Sequence, residues 1–295
     1  MPHMKRPSPM TEIRTLRAPN PSALTGTGTN TYLLGRGDVA VIDPGPASEA
    51  HLAAILDSLA AGERITHILV THPHLDHSAL APRLSAATGA PVLAFGGATA
   101  GRSPLMSSLA AAGMAGGGEG LDHSFAPDRH LADGETVAGA SWSVTALHTP
   151  GHLGAHLCFA AEDVLFSGDH VMGWSTSIVS PPDGDMTDYM NSLRRLASQA
   201  WLRLLPGHGE PVETPAERLR ALIDHRLQRE AQILDALTLG PADATTLTQR
   251  VYTDIAPALL PAARRNVLAH LIDLTSKGSV STPDLLRHDT AFHLS

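Results

Sequence analysis

The sequence predicts an α/β protein in which two sheets pack face to face between outer helices, followed by a small helical, winged-helix-like domain. Three observations favour this αββα sandwich. Strands and helices alternate along the first half of the chain, as in layered α/β folds, and residues 135–205 are richer in strands. From Thr214 onward the apolar residues recur instead at helical spacing. We therefore divide the chain into a flexible leader (1–10), a layered domain (11–212) and a helical domain (213–295).

The first half begins with an edge strand and ends in a long irregular insertion at residues 96–122, rich in Gly, Ala, Ser and Met. Such insertions often cover active sites. Ser48 is predicted to cap the first helix, because serine side chains accept a hydrogen bond from the first helical turn. The predicted elements are a strand at 11–18, a glycine-rich loop and strand over 26–34, a strand at 38–42, a helix at 48–61, a strand at 65–71, a helix at 78–87, a strand at 91–95 and a short helix at 104–112.

The second half consists mainly of short strands separated by turn signals. Asp133-Gly134, Pro150-Gly151 and Glu162-Asp163 mark the turns. The predicted elements are strands at 135–137, 141–147, 156–160 and 164–167, a helix at 185–198 and a last buried strand at 201–205.

The helical domain begins at a sharp boundary. Thr214-Pro215-Ala216-Glu217 has the pattern of a capping box with proline at the first helical position. Further helices are predicted at 244–252 and about 261–277, followed by a tight turn at 278–281. Nine basic and ten acidic residues over 213–295 provide no basic face, so the domain is predicted to serve packing or homodimerisation rather than nucleic-acid binding.

The composition excludes several classes of protein. The formal net charge is −8 and the only two lysines are Lys5 and Lys277, which leaves little positive charge for a phosphate backbone. Cys158 is the single cysteine, so no intramolecular disulfide and no cysteine-rich zinc knuckle can form. No apolar run is long enough to cross a bilayer and no secretory segment follows the start, so we expect a cytoplasmic protein without a membrane partner.

Four potential metal ligands lie within six residues, directly after the predicted strand at 65–71: His72, His74, Asp76 and His77. Side chains two residues apart on extended backbone point to the same side, so His72 and His74 can bind one ion together. Asp76 and His77 lie where the chain turns toward the next helix, and we expect this pair to serve a second ion. Imidazole and carboxylate suit zinc, iron or manganese better than calcium or magnesium.

Three further strand ends place a histidine or an aspartate beside glycine. His152 ends a Thr-Pro-Gly-His run, Asp169 ends Ser-Gly-Asp, and His208 ends Pro-Gly-His. Glycine lets the backbone approach an ion closely. Four matched strand ends in one chain therefore indicate one shared metal site.

Together these motifs resemble those of the metallo-β-lactamase superfamily, over about residues 28–211. The resemblance implies the metallo-β-lactamase fold and a binuclear metal site. It implies that His72, His74 and His152 hold the first metal. It also implies that Asp76, His77 and His208 hold the second metal and that Asp169 bridges the two. An aspartate at the bridging position is typical of glyoxalase II-like hydrolases rather than of true class B β-lactamases, which makes a β-lactam the less favoured substrate.

A closer resemblance is to the lactamase-β-like-2 subgroup. It rests on residues 28–33, His156, residues 188–193 and His225-Arg226. This subgroup carries a winged-helix-type C-terminal module and includes a single-strand endoribonuclease, and fungal thioesterases acting on carrier-bound polyketides are similar to it. The scarcity of lysine and the insertion at 96–122 distinguish this sequence from the ribonuclease.

The resemblance implies a hydrolase in which a hydroxide bridging two divalent ions attacks the substrate. Zinc is the expected metal, with iron and manganese as alternatives. Asp76 is the predicted catalytic residue, because its carboxylate can orient the water or relay its proton. Candidates for contacts behind the ligands or beside the substrate are Asp43, His148, Asn30, His156 and His225.

Several functions remain open from the sequence. The favoured one is hydrolysis of an ester or thioester, with a small-molecule, CoA-linked or carrier-linked acyl substrate and the insertion as an adaptable lid. The alternative is a single-strand endoribonuclease. A β-lactamase and a non-enzymatic regulator with a structural metal are less favoured interpretations.

Overall fold

The computed structural model describes residues 11–116, 120–282, 286 and 289–295. The predicted leader lies outside the described residues, as do three residues of the 96–122 insertion. Within the described chain, two sheets face each other between outer helices and a helical domain follows them. The predicted α/β sandwich with a C-terminal winged-helix-like domain is therefore confirmed.

The first sheet has six strands, and its order follows the chain. They are β1 (Ile13–Arg17), β2 (Asn30–Leu34), β3 (Asp38–Ile42), β4 (Arg64–Leu69), β5 (Val92–Ala94) and β6 (Arg129–His130). Strands β1 to β3 are antiparallel, whereas β3 to β6 run parallel, and β1 lies at the edge as predicted. Strand β6 is missing from the predicted elements because its two exposed residues carry no apolar pattern.

The second sheet has five strands in the order β11-β10-β9-β8-β7. They are β7 (Thr136–Ala138), β8 (Ser143–His148), β9 (Leu157–Ala161), β10 (Val164–Gly168) and β11 (Arg203–Pro206). The inner faces of the two sheets form one core, in which the rings of Tyr32 and Phe166 meet edge to face at 5.2 Å. Each fully buried side chain of this size stabilises the fold by about 1.5–3 kcal/mol.

Helices α1 (Glu49–Asp57) and α3 (Ala81–Thr88) pack against the first sheet, and α5 (Met186–Ala197) packs against the second. The short helix α2 (Leu75–Ser78) lies in the ligand motif, and α4 (Pro104–Ala111) belongs to a different core. Ser48 caps α1 as predicted, and its side chain accepts a hydrogen bond from the backbone of His51. Two predictions were wrong. Helix α1 ends at Asp57 rather than near residue 61, and the helix predicted at 78–87 begins only at Ala81, after the separate short helix α2.

The helical domain contains α6 (Pro215–Leu237), α7 (Ala244–Val251) and α8 (Leu260–Ser276), with β12 (Val280–Ser281) pairing to β13 (His293–Leu294). Helix α6 begins at the predicted proline, but the Thr214 side chain makes no capping hydrogen bond, so the predicted capping box does not form. Part of the predicted turn at 278–281 belongs to β12. Helix α4 packs into the core of this domain through Met106 and Leu109. In the described residues, every helix is too short or too polar to span a membrane.

Candidate metal centre

The residues predicted as metal ligands converge beyond the ends of strands β4, β8, β10 and β11. Each of these strands ends in a loop that delivers one or more of the ligands. Three groups of nitrogen and oxygen atoms form, with the atoms of each group within 4.8 Å of one another. The groups are His72, His74 and His152; Asp76, His77 and His208; and His72, His77 and Asp169.

The first group consists of three buried histidines. His74 Nδ1 lies 3.0 Å from His72 Nε2 and 3.2 Å from His152 Nε2. Nitrogen ligands at the usual zinc distance in a tetrahedral site lie about 3.3 Å apart. The spacing of the three nitrogen atoms therefore fits one divalent ion.

The second group lies beside the first and includes a carboxylate. His208 Nε2 lies 3.4 Å from His77 Nε2 and 3.2 Å from Asp76 Oδ2. His77 Nε2 lies 3.5 Å from the same oxygen of Asp76. Two nitrogen atoms and one oxygen thus face a common point, as a second divalent ion requires.

Asp169 lies between the two groups. Its Oδ1 lies 3.5 Å from His77 Nε2, and its Oδ2 lies 3.3 Å from His208 Nε2 and 3.9 Å from His152 Nε2. Oδ1 is buried and makes no hydrogen bond with any described residue. Buried carboxylate oxygens are normally hydrogen-bonded, so this unpartnered atom between two sets of ligands fits a position shared by two metal ions.

Asp43 orients one of the histidines from behind. It ends β3 in the left-handed region (φ 50°), a conformation that non-glycine residues rarely adopt. One carboxylate oxygen accepts a hydrogen bond from the Thr71 backbone at 2.7 Å, and the other accepts from His77 Nδ1 at 2.9 Å. Because a carboxylate can only accept, His77 Nδ1 carries the proton and its Nε2 directs a lone pair toward the centre.

Three more histidines are oriented by a hydrogen bond at the ring nitrogen that faces away from the centre. The Thr71 hydroxyl donates to Asp43 at 2.7 Å, so it accepts from His72 Nδ1 at 2.9 Å. His152 Nδ1 donates to the Ile178 carbonyl at 2.6 Å. His208 Nδ1 donates to the Gly28 carbonyl at 3.3 Å. In all four rings the inner nitrogen is left free to bind a metal. The sequence analysis missed Thr71, whose only signal was a hydroxyl residue directly before the ligand motif.

The electrostatics of the centre favour cations. Burial lowers the pKa of His72 and brings that of His74 to about 3, so both rings are neutral. Burial also opposes charge on His77, but the negative charges of Asp76, Asp169 and Asp43 outweigh it and hold the His77 pKa well above its usual value. In the metal-free protein Nε2 therefore carries a proton as well, which a bound divalent ion would replace. A centre with three carboxylates and five histidines fits two divalent ions such as zinc, iron or manganese.

Gly207 lets the β11 loop approach the ligands closely. A Cβ at this position would lie against Asp169 Oδ1 and 2.6 Å from His77 Cε1. We expect Gly207→Ala to lower the free energy of unfolding by about 2 kcal/mol, as overpacking does, and to lower the metal content measured by elemental analysis. Gly173→Ala is the control, because a Cβ there would meet no atom nearer than a Val212 methyl group at 3.3 Å and would not approach the ligands. Equal metal content in the two variants would contradict the close packing.

The remaining candidates from the sequence have different surroundings. The Asn30 amide donates to the Pro206 and Gly209 carbonyls at 3.0 and 2.8 Å, and so fixes the loop that carries His208. His156 stacks on the ring of His72, with ring centroids 5.1 Å apart.

The structure does not bring His148 to the ligands. Its Nε2 bonds to the Gly154 carbonyl at 2.8 Å and its ring stacks on Phe95 at 3.9 Å. This strand-end histidine is thus held by a neighbouring loop and by Phe95 next to β5 rather than by the centre.

A cleft of about 450 Å³ opens beside the centre, between the layered and helical domains. Leu24 and Trp174 line it from one side, and Tyr252, Ile255 and Leu259 line it from the other. Its charged lining residues within the described chain are acidic, and lysine and arginine are absent from that lining. His225 also lines the cleft, and burial together with the charge of Arg226 lowers its pKa to about 4.

Comparisons with known proteins match both parts of the chain. Residues 24–208 match the family model described as metallo-beta-lactamase superfamily, and residues 244–284 match that of the beta-lactamase associated winged helix domain. A beta-lactamase-like protein 2 homolog from Drosophila melanogaster is 34% identical over 88% of this chain and 87% of its own length.

Two further matches are to a named enzyme and to a solved structure. An atrochrysone carboxyl ACP thioesterase from Aspergillus fumigatus is 32% identical over 74% of this chain, which spans 62% of that protein's length. The crystal structure of a metallo-beta-lactamase family protein from Thermus thermophilus has a TM-score of 0.75 and 23% identity, and the match covers 96% of this chain and 98% of that one.

Proposed function

The chain belongs to the metallo-beta-lactamase superfamily of hydrolases, and from this premise we propose that it hydrolyses acyl thioesters at a binuclear metal centre, with zinc as the metal. The cleft supports the substrate class most directly. It is apolar, extends from the ligands to the helical domain, and carries acidic rather than basic residues. An apolar acyl chain is stabilised there, whereas the described lining offers no lysine or arginine to bind the phosphate backbone of a nucleic acid.

In the proposed site, His72, His74 and His152 hold one ion, Asp76, His77 and His208 hold the other, and Asp169 is shared. Two bound divalent ions would lower the pKa of a water molecule to about 7 and polarise the substrate carbonyl.

Asp76 is the proposed catalytic residue. Its side chain lines the cleft and is 26% exposed, whereas the His77 side chain is fully buried. Thr29 Oγ1 donates to Asp76 Oδ2 at 3.1 Å, and the same oxygen faces His208. The orientation of the carboxylate is therefore held, and Oδ1 is available to accept a proton from a water molecule in the cleft.

The same cleft supports a role for the helical domain in substrate binding. We propose that the boundary lies near residue 213 and that Tyr252, Ile255 and Leu259 contact the acyl group. The name of the fungal thioesterase relative supports a carrier-linked thioester. A homodimer and a cytoplasmic location stay predictions from the sequence.

A paired assay tests the reaction. Purified protein is given acyl-CoA and acyl-cysteamine thioesters of two to twelve carbons, with thiol release followed colorimetrically, and a labelled single-stranded RNA in parallel. We expect thioester turnover that increases with chain length and no RNA cleavage. RNA cleavage without thioester turnover would replace the proposal with the endoribonuclease alternative.

The apolar wall contributed by the helical domain gives a separate prediction. We expect Ile255→Asp to raise KM for a decanoyl thioester by about tenfold, because a charge enters the surface that the acyl chain covers. We expect the acetyl thioester, which has no acyl chain to cover this wall, to be hydrolysed normally. Leu202→Asp is the control, since Leu202 is 58% exposed and does not line the cleft. An equal KM change for both thioesters would count against this wall as the acyl site.

A further inference from the structure

The helical domain contacts a segment of the layered domain that supports one of the metal ligands. This segment, residues 177–180, lies between β10 and α5 and belongs to neither. Its Ile178 carbonyl accepts a hydrogen bond from His152 Nδ1 at 2.6 Å. The position of this carbonyl decides how the His152 ring is presented to the other ligands. An irregular segment needs contacts outside its own backbone to hold that position.

Side chains of α6 and α8 bond to three of the four residues in this segment. The hydrogen bonds run from Arg226 Nη2 to the Ser177 carbonyl, from the Val179 N–H to Asn266 Oδ1 at 2.9 Å, and from Arg265 Nη1 to Ser180 Oγ at 3.2 Å. Arg226 and Asn266 are buried, so little water competes for the bonds that they make. The helical domain thus holds the backbone of the segment in place.

The contact at Asn266 reaches His152 through a single peptide unit. The Ile178 carbonyl and the Val179 N–H belong to the same peptide bond, which is rigid and planar and directs the two groups to opposite sides. Asn266 holds the N–H side of this unit, and His152 donates to its carbonyl side. Rotation of the peptide plane would break both hydrogen bonds. Asn266 therefore fixes the direction in which the carbonyl accepts.

Arg226 fixes the orientation of the Asn266 amide. Its Nη1 donates to Asn266 Oδ1 at 3.2 Å, and the same oxygen accepts from Val179. Because a guanidinium and a backbone N–H can only donate, the oxygen of the amide must face them. One chain of hydrogen bonds thus runs from Arg226 through Asn266 and the peptide unit to the ligand His152.

We propose that Asn266 is a positioning residue for the first metal ion, and that the helical domain thereby helps to build the metal centre. The proposal rests on the binuclear centre proposed above and not on the class of substrate. His152 Nε2 lies 3.2 Å from His74 Nδ1, so the ring that Asn266 orients belongs to the first group of ligands. Groups that orient a metal-binding histidine typically contribute about 10–100-fold to metal affinity. Asn266 acts through one further hydrogen bond, so we expect an effect near the lower end of that range.

Retention of zinc by the full-length, zinc-loaded protein against increasing concentrations of chelator tests the proposal, with zinc measured by elemental analysis. We expect Asn266→Leu, which removes the acceptor oxygen, to release one of two zinc ions at an about tenfold lower chelator concentration. Asn266→Asp keeps an acceptor oxygen for Val179 and Arg226, so it should retain zinc as wild type does. Equal zinc loss from Asn266→Asp and Asn266→Leu would contradict the role of that oxygen. Asn191→Leu is the matched control, because Asn191 is exposed on α5 and takes no part in these hydrogen bonds.

A second comparison separates positioning from general destabilisation. In His152→Ala the ring that Asn266 orients is absent. The zinc that remains in this variant should therefore be retained equally with and without Asn266→Leu, because a residue that acts only through His152 has no further effect once His152 is removed. A further loss of zinc in the double variant would show that Asn266 acts on the whole fold, and would overturn the proposal.

Thermal melting checks that each variant folds. Asn266→Ser is the second variant, because its hydroxyl is too short to reach Val179 yet leaves a polar group beside Arg226, and we expect it to lose zinc as Asn266→Leu does. Equal retention of two zinc ions by wild type and both folded variants would overturn the positioning role alone. Wild-type protein that binds no metal would overturn the metal centre and this proposal with it. Failure of the thioester assay would leave these outcomes unaffected.

Discussion

Asp169→Ala should lose bound metal and activity together, with kcat/KM for a thioester falling by about 10³-fold or more. The carboxylate lies between the two groups of ligands, 3.3 Å from His208 Nε2 and 3.5 Å from His77 Nε2. Its removal takes one ligand from each proposed metal ion and leaves two histidines facing each other in a buried site. Elemental analysis and steady-state kinetics on the same preparation measure both effects.

Two further variants make this result specific. Asp169→Asn keeps the shape of the side chain but not its charge, and we expect it to lose metal as well. Asp188→Asn is the matched control, because Asp188 is a half-buried carboxylate of α5 that belongs to none of the ligand groups. Full metal occupancy in Asp169→Ala would refute the shared position.

Removal of the metal ions has the second large expected effect. Dialysis against a chelator should abolish thioester turnover and lower Tm by roughly 10 °C or more, because metal binding free energy contributes to folding when the ligands are buried. Asp43, Asp76 and Asp169 all lie around His77. Without metal ions these three negative charges, two of them buried, are left to be balanced by protonated histidine such as His77.

The same experiment identifies the metal. Zinc, iron and manganese are added back separately to the dialysed protein, and activity and Tm are measured for each. Dialysis without chelator, and chelator saturated with calcium, are the controls. Full turnover in protein with less than one metal ion per chain would contradict a binuclear mechanism.

Much of the layered fold was predictable because its signals are local. The strand at Asp38–Ile42 has its predicted bounds, and the edge position of β1 and the cap at Ser48 also agree with the structure. Elements without a local signal were missed. Strand β6 has two exposed residues and pairs only because β5 lies beside it. The cap at Thr214 is the opposite case, because its sequence pattern is present but the side chain makes no capping hydrogen bond.

The sequence by itself determined the ligand types and the strand ends that carry them. Backbone alternation directs His72 and His74 to one side, and glycine next to Asp169 and His208 permits close approach. These are properties of a few consecutive residues, so they can be predicted without the tertiary structure.

Only the tertiary structure decided how the centre is supported and what lies beside it. Asp43 meets His77 across 34 residues, and the cleft joins Leu24 to Ile255. Packing brings together segments far apart in the chain, and burial then removes the water that would have screened their charges. Both effects depend on the whole fold and on no single stretch of sequence.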